Sequence, residues 1–241
     1  MINMSFDISK FASSTELAEA AAVAWIEALT AREAARDYSV ALSGGRIARD
    51  FFLALAHKAG QQQLSLARVH FFWADERCVG PDHAESNYRV AHELLFSPLN
   101  IPSNQIHRLK GEAEEGAALR DATDNVLSVV PTDAKGQPQL DLVLLGMGEE
   151  GHTASLFPGE SAEVMASPLI YRAVTTPKPP PRRITLGYPA LAAAKEVWML
   201  ASGKGKEAAL QEAISEGGNN PFGRVLRMRQ RTRIFTDITL G

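Results

Sequence analysis

Short apolar segments alternate along the chain with longer segments of helical composition, and this alternation strongly constrains the fold. The predicted strands are Tyr38–Leu42, Val69–Trp73, Leu140–Leu145, Leu169–Thr175, Arg183–Leu186, Glu196–Ala201 and Arg233–Thr236. The predicted helices are Thr15–Arg36, Ile47–Ala59, Ser86–Phe96, Gly116–Val130 and Lys204–Glu216. Strands that alternate with helices form parallel sheets, and near-continuous apolar strands indicate that both sheet faces are buried. The sequence therefore predicts a three-layer, Rossmann-like α/β fold with a mostly parallel sheet flanked by helices on both faces.

Length and charge limit the organisation of the chain and its partners. The 241 residues contain no internal repeat or long linker, and a chain of this length buries roughly 70% of its unfolded surface. We therefore predict a single domain spanning residues 1–241. The 25 basic and 28 acidic residues give a net charge of −3. No overall positive field attracts nucleic acid or an anionic membrane, so an anionic ligand requires a local site.

The cysteine and histidine content argues against several other classes of protein. A single cysteine, Cys78, excludes a disulfide framework and multi-cysteine metal sites, and is typical of the reducing cytosol. None of the six histidines forms the His-Glu-x-x-His pair of zinc enzymes. No secretory signal is recognisable, and no apolar run reaches the roughly 18 residues of a membrane span. We expect a cytoplasmic protein without a metal or cofactor.

Polar segments follow four of the predicted strands. In open α/β sheets, ligands bind at the carboxyl ends of strands, so these segments are candidate ligand-binding positions. The segments are Ser43-Gly44-Gly45-Arg46, Asp75-Glu76-Arg77, Gly146–His152 and Ser202–Lys206. Two glycines between a strand and a helix let an anion approach the free N–H groups of the helix. A tight turn without a ligand is the alternative. The first segment is neither a P-loop nor a dinucleotide fingerprint, which leaves a nucleotide site with little support.

Basic side chains add to the case for an anion. Lys204 and Lys206 lie at the N-terminus of a predicted helix, where positive charge opposes the helix dipole and a bound anion would relieve the repulsion. A solvated charged turn is the alternative. Four further basic candidates are Arg77, Lys178, Arg182 and Arg183, of which most are expected at the surface.

The segment Gly146–His152 is the most informative, because it interleaves glycines with two carboxylates and a histidine. Histidine titrates near neutrality and can shuttle a proton, and a neighbouring carboxylate can hold its tautomer or raise its pKa. We predict that His152 is catalytic; a structural histidine is the alternative. Among the other histidines, the sequence predicts that His57, His83 and His107 face solvent and that His70 and His92 pack.

Six pieces of the chain match one family in the family's own order, from about Ser39 to Lys206. They are Leu42–Gly45, Trp73–Arg77, Ser86–Tyr88, Gly146–Gly159, Pro181–Leu186 and Ser202–Lys206. At these residues the sequence resembles the 6-phosphogluconolactonase family, within the wider glucosamine-6-phosphate isomerase/deaminase-like group. The stretch Gly151–Pro158 is highly specific, whereas Ser-Gly-Gly alone is not.

The resemblance implies hydrolysis of 6-phospho-D-glucono-1,5-lactone to 6-phosphogluconate in the oxidative pentose phosphate pathway, without metal or nucleotide. By position, His152 matches the family's acid/base, while Asp75 and Asn87 match polar residues of the cleft. Positions that contact phosphate or sugar are matched by Ser43, Gly44, Gly45, Arg77, Arg183 and Lys206. In the predicted mechanism, neutral His152 takes a proton from the water that attacks C1 and returns it to the departing ring oxygen.

Two positions depart from the family's pattern. The phosphate loop continues as Arg46-Ile47-Ala48 where the family usually has Ser/Arg-Thr-Pro, which removes a hydroxyl donor and leaves the backbone N–H groups. Arg46 is retained as a candidate substrate-binding residue. Glu150 stands where aspartate is usual and is one methylene longer. We predict Glu150 as the partner of His152, so that the predicted catalytic set is His152, Glu150 and Asp75.

Two alternatives stay open at this point. A glucosamine-6-phosphate deaminase or sugar-phosphate isomerase shares the Ser-Gly-Gly and Gly-His elements, but its loop continues to Phe-Asn-Glu-Pro, and Phe157 stands here in place of that glutamate. A non-catalytic sugar-phosphate-binding protein is the second alternative, against which the intact Gly151-His152 argues. We expect a monomer, with a dimer as the alternative.

Overall fold

The computed structural model describes residues 6–32 and 36–240. The strands are β1 (Phe6–Lys10), β2 (Tyr38–Leu42), β3 (Val69–Trp73), β4 (Asp75–Arg77), β5 (Leu142–Gly146), β6 (Tyr171–Thr175), β7 (Arg182–Leu186), β8 (Glu196–Ala201) and β9 (Thr232–Thr236). The helices are α1 (Ser14–Thr30), α2 (Arg46–Gln61), α3 (Asn87–Ala91), α4 (Glu115–Val129), α5 (Ala162–Met165), α6 (Tyr188–Ala193), α7 (Glu207–Ile214) and α8 (Pro221–Arg227). A π-helical turn, His92–Phe96, continues α3, and a 3₁₀ turn spans Ser103–Gln105.

Six strands form a fully parallel sheet in the order β1-β9-β8-β5-β2-β3. Near its centre, Val40 of β2 pairs with Phe71 of β3 on one side and with Leu142 of β5 on the other. All five residues of β2 are buried, as expected for a strand of a sheet covered by helices. The predicted α/β fold with a mostly parallel sheet is confirmed.

A second, antiparallel sheet has the order β4-β7-β6 and was not predicted as a separate layer. Its register pairs Asp75 with Thr185 and Arg77 with Arg183. Ala74 links the two sheets, because its N–H donates to Leu42 O at 2.7 Å and its carbonyl accepts from Leu186 N at 2.8 Å. The small sheet thereby brings the side chains of β4 and β7 to the carboxyl edge of the parallel sheet.

Helix α1 is shorter than predicted. It begins at Ser14, after Ser13, whose Oγ accepts the N–H of Glu16 at 3.2 Å, and it ends at Thr30 instead of Arg36. Residues 33–35 of the predicted helix lie outside the described residues. Leu29 is the last large apolar residue before Tyr38, and helices in proteins depend mainly on the packing of an apolar face. The composition beyond Leu29 favours a helix, but the sequence from Thr30 to Asp37 offers no large apolar side chain for packing against the sheet.

Five elements of the described residues were not predicted from the sequence, namely β1, β4, α5, α6 and α8. Strand β1 pairs with β9 at the far end of the chain, with Phe6 opposite Thr232, and its residues are only partly buried. A short edge strand whose partner is far away in the sequence shows little local pattern of apolar and polar residues. Helix α8 has a local signal, since Asn220 accepts the N–H of Gly223 at 2.9 Å and proline occupies its first turn.

One hydrophobic cluster joins helices and sheets, and the tryptophans Trp25, Trp73 and Trp198 are almost fully buried within it. Such a shared core is what one cooperative domain requires. The assignment of residues 1–241 to a single domain stays a prediction.

Two of the histidine predictions were wrong. His107 is half-buried instead of facing solvent, and its backbone N–H donates to Phe71 O at 2.8 Å, beside edge strand β3. Its ring stacks on Phe72 with centroids 4.5 Å apart, and its Nε2 lies 2.9 Å from His70 Nδ1. Burial, followed by the nearby His70, lowers the pKa of His107 to about 4. His92, predicted to pack, is exposed on the π-helical turn.

Candidate active site

A cavity of about 420 Å³ opens at the carboxyl edge of the parallel sheet. It lies where the strand order changes direction, since the chain passes from β2 outward to β3 and later returns to β5 on the other side of β2. Loops that leave neighbouring strands in opposite directions open a crevice at such a position, which is the usual ligand site of open α/β sheets.

Ten of the eleven predicted site residues line this cavity. They are Ser43, Gly44, Gly45, Arg46, Asp75, Arg77, Asn87, His152, Arg183 and Lys206. Glu150, the eleventh, lies beside the cavity and contacts His152. Residues separated by more than half of the sequence therefore come together in one crevice.

The glycine loop after β2 presents the N-terminus of α2 to the cavity. Gly45 has a φ of +101°, which favours glycine, and no side chain caps the helix that begins at Arg46. Gly44 is required for a second reason, because a Cβ there would lie 1.8 Å from Asn87 Oδ1. Ser43 faces the cavity but donates its hydroxyl to Leu144 O at 2.8 Å, which ties β2 to β5. The uncapped N–H groups of α2 form an anion-binding position.

His152 is carried by a tight loop that follows β5. The N–H of Gly148 donates to His152 O at 3.0 Å, the N–H of Gly151 donates to Gly148 O at 3.0 Å, and Gly151 has a φ of +80°. The hydroxyl of Thr153 donates to Gly146 O at 3.0 Å. A Cβ on Gly148 would lie 2.0 Å from His152 Nδ1, so the glycine is what leaves room for the imidazole.

Glu150 contacts two positive or potentially positive groups. Its Oε2 lies 3.1 Å from His152 Nδ1, a close electrostatic contact without the alignment of a hydrogen bond, and its Oε1 lies 2.7 Å from Lys178 Nζ. Partial burial raises the pKa of Glu150, but Lys178, backbone N–H donation and His152 outweigh it and lower the pKa to about 2. Glu150 is therefore a carboxylate throughout the physiological range.

His152 is held neutral by its surroundings. Burial lowers its pKa, against the opposing effect of Glu150. One face of the imidazole stacks on Phe157, with ring centroids 4.4 Å apart. Because Nδ1 faces Glu150, the other ring nitrogen, Nε2, is the one available to the cavity. Such a histidine can accept a proton from a group in the cavity.

Asp75 forms the opposite wall together with Arg183. Asp75 is 4% exposed, its carboxylate accepts the Ser155 hydroxyl at 2.6 Å, and its backbone carbonyl accepts from Asn87 Nδ2 at 2.9 Å. Arg183 Nη1 lies 3.4 Å from the same Ser155 oxygen. Ser155 thus bridges an acidic and a basic residue of the cavity wall.

The basic groups of the cavity differ in whether a carboxylate neutralises them. Arg77 pairs with Glu85 at 3.1 Å. Within the described part of the chain, Arg183, Lys206 and Arg46 have no carboxylate at ion-pair distance. Burial, followed by the charge of Arg77, lowers the pKa of Arg183, and burial, followed by Arg46, lowers that of Lys206. Arg183, which is buried, and Lys206, which is half-buried, are cations without counter-ions and therefore favour an anionic ligand.

Comparison with known proteins places the chain in a family. The model of the glucosamine-6-phosphate isomerases/6-phosphogluconolactonase family matches residues 12–234. The 6-phosphogluconolactonase of Mycobacterium tuberculosis is 39% identical over 225 residues, which cover 90% of this chain and 89% of that protein. The chain belongs to this family.

Solved structures of the family have the same fold. The 6-phosphogluconolactonase of Trypanosoma brucei superposes with a TM-score of 0.87 at 26% identity, and the match covers 97% of both chains. A monomeric glucosamine-6-phosphate deaminase, at 20% identity and a TM-score of 0.78, covers 95% of this chain and 96% of its own, and shows that deaminases share the fold. The fold alone therefore does not separate the two activities of the family.

Several family-motif residues surround the cavity but were absent from the predicted site. Ser155 and Phe157 lie within the matched stretch after His152, and their contacts to Asp75 and to the imidazole had no separate signal. Glu149 and Ser202 also line the cavity, and both fall inside segments already singled out at strand ends. Lys178 also lines the cavity, although the sequence analysis named it only as one of four basic candidates. Its position in a proline-rich turn between two short strands was the signal available for it.

Two further observations concern metals and membranes. Across residues 6–32 and 36–240, no group of three or more His, Cys, Asp or Glu side chains is arranged to hold a metal ion. In that same part of the chain, no helix combines the length and apolar character needed to cross a membrane.

Proposed function

We propose that this chain hydrolyses 6-phospho-D-glucono-1,5-lactone to 6-phosphogluconate, with His152 as the general base and then the general acid. The observation that carries the proposal is the juxtaposition of a neutral, partly buried His152 with the unneutralised Arg183 and Lys206 in one cavity. Membership of the family and the 6-phosphogluconolactonases among its relatives support the same reaction.

The proposed reaction begins when His152 Nε2 takes a proton from water as the water oxygen attacks C1 of the lactone. The carbonyl oxygen becomes an oxyanion in a tetrahedral intermediate. The intermediate collapses, the bond between C1 and the ring oxygen breaks, and the imidazolium returns the proton to that oxygen. Glu150 stabilises the transient imidazolium through its contact with Nδ1.

Arg183 is the best placed group for the oxyanion. The N–H groups of Gly148 and Gly151 already donate within the His152 loop, so they are not free for a substrate. Arg183 is 4% exposed, lines the cavity and lacks a carboxylate partner among the described residues. A fixed cation in a water-poor wall stabilises developing negative charge more strongly than water does.

The other end of the cavity suits the phosphate. The uncapped start of α2, the glycine loop and the basic groups of Arg46 and Lys206 lie together there. Phosphate binding at this end orients C1 toward His152 instead of taking part in the chemistry. Phe157, stacked on His152, supplies no carboxylate for the ring opening of an amino sugar, which disfavours the deaminase alternative.

A coupled assay on freshly generated lactone, corrected for spontaneous hydrolysis, tests the proposal. We expect His152→Asn to lower kcat by about two orders of magnitude or more while binding of 6-phosphogluconate persists. Near-normal kcat in that variant would exclude His152 as the base. Ammonia release from glucosamine 6-phosphate would instead indicate a deaminase, and ligand-induced thermal stabilisation without turnover would indicate a binding protein. A monomeric, cytoplasmic enzyme without nucleic-acid or membrane partners completes the proposal.

A further inference from the structure

Lys178 lies on the turn between β6 and β7 and reaches the carboxylate that contacts the base. Its Nζ is 2.7 Å from Glu150 Oε1 and 3.0 Å from Oε2, and the same Oε2 is 3.1 Å from His152 Nδ1. The Lys178 side chain lines the cavity and is 46% exposed. The ammonium and the imidazole therefore share one carboxylate, and the ammonium is the member open to solvent and ligand.

The backbone beneath this side chain is anchored. Lys178 O accepts from Thr176 Oγ1 at 3.0 Å and from Arg183 Nη2 at 3.3 Å, and Pro180 O accepts from Arg183 Nε at 3.0 Å. A flexible lysine side chain on a fixed backbone can change its ionic partner by rotation alone. No movement of the turn is needed.

The charges facing His152 come from four elements. Glu150 lies on its own loop, Asp75 on β4, Lys178 on the β6–β7 turn, and Arg183 on β7, where its guanidinium lies 6.0 Å from the ring of Phe157 that stacks on His152. Glu150 and Asp75 favour the imidazolium, and Lys178 disfavours it. Of the two cations, Lys178 is the one that also pairs with Glu150.

We propose that Lys178 is a positioning residue that neutralises Glu150 before an anionic substrate binds and, on binding, turns toward the substrate's phosphate beside Lys206, which lines the same cavity. This step rests on the proposed lactonase function. Glu150 is then left to His152 alone, and its full negative charge stabilises the imidazolium as the proton is taken from water. Arrival of the substrate thereby strengthens the base that acts on it.

The test is an NMR titration of the His152 imidazole, assigned by comparison with His152→Asn. The proteins are the wild type, Lys178→Gln, Lys178→Arg and the matched control Lys110→Gln. Lys110 is also 46% exposed and pairs with a carboxylate, Asp121, at 2.8 Å, but it does not line the cavity. Each protein is titrated alone, with inorganic phosphate and with 6-phosphogluconate.

In the ligand-free proteins, we expect Lys178→Gln to move the His152 midpoint upward by about one pH unit, because a cation beside Glu150 is removed. Lys178→Arg and Lys110→Gln keep the wild-type midpoint. 6-Phosphogluconate raises the midpoint in every protein through its own charge, but the rise is smaller in Lys178→Gln than in the wild type. Inorganic phosphate also raises the midpoint less in Lys178→Gln than in the wild type, because an anionic charge is what draws the Lys178 ammonium away from Glu150.

Equal midpoints in the wild type and Lys178→Gln would overturn the inference. So would an equal rise in both proteins on binding 6-phosphogluconate. Failure of the proposed function is distinguishable, since it shows as absent lactone turnover by the wild type or as undiminished lactone hydrolysis by His152→Asn. If His152→Asn loses activity but the His152 titration is unchanged in Lys178→Gln, only the role of Lys178 is rejected and the proposed function stands.

Discussion

The imidazole of His152 lies flat against the ring of Phe157, with centroids 4.4 Å apart and planes inclined by 13°. Phe157 is itself 9% exposed, so the stack removes one face of the imidazole from water. Burial is the largest cause that lowers the pKa of His152, and Glu150 opposes it. The aromatic ring thus helps to keep the base neutral and fixes the plane in which its nitrogens lie.

Replacing Phe157 by leucine is expected to shift the pH dependence of lactone hydrolysis. With less burial, the pKa of His152 rises toward its ordinary value, and the acid limb of the kcat/KM profile moves to higher pH. Aromatic stacking is worth about 0.5–1.5 kcal/mol, so kcat falls by up to about tenfold. Phe11→Leu is the control, because Phe11 stacks on Phe235 outside the cavity. An unmoved acid limb in Phe157→Leu would contradict the role of the stack.

Gly148→Ala is expected to displace the base without unfolding the protein. The new Cβ would lie 2.0 Å from both Cε1 and Nδ1 of His152, so the imidazole must leave its position. We expect a loss of kcat of about two orders of magnitude, close to that of His152→Asn. Gly60→Ala is the control, since a Cβ there meets nothing within 4 Å, and it should retain full activity. Activity in Gly148→Ala at the level of this control would show that the loop tolerates a side chain.

Ser155→Ala is expected to weaken both stability and substrate binding. Its hydroxyl is the 2.6 Å donor to the buried Asp75 carboxylate and the 3.4 Å partner of Arg183. A buried acceptor without its donor costs about 1–3 kcal/mol, which urea denaturation measures as a lower free energy of unfolding. KM should also rise as Arg183 loses a contact. Ser128→Ala, at an exposed hydroxyl, should change neither quantity.

His107 is expected to make the protein sensitive to mild acid. Its folded pKa of about 4 lies below the ordinary value of 6.5, so the folded state binds fewer protons than the unfolded state between these values. The stabilising contribution is complete above pH 6.5 and is lost as the pH falls toward 4. His107→Phe keeps an aromatic ring on Phe72 without a titratable group. Its Tm should therefore fall less than that of the wild type between pH about 7 and about 5; an equal fall would point to other groups.

What the sequence predicted correctly was encoded locally. One example is β2 with the glycine loop after it, and another is β5 with the loop that carries His152. Each is one short stretch of sequence whose pattern is sufficient to predict its structure. The contacts that complete the site join distant residues: Lys178 and Glu150 are 28 positions apart, and Ser155 and Asp75 are 80 positions apart. Neither the antiparallel register of β4 nor the Phe157 stack leaves a periodic pattern, because each is decided by packing between separate elements.

The strand order of the parallel sheet has a consequence for how the enzyme folds. Strands β2 and β5 are neighbours in the sheet although about a hundred residues separate them, and the crevice exists only once they are side by side. Pairings between such distant segments form slowly, since a long loop must close first. Catalytic activity therefore requires the completely folded chain, and no short segment of it is active alone. When the denatured protein is diluted from denaturant, activity returns after the spectroscopic signal of the helices.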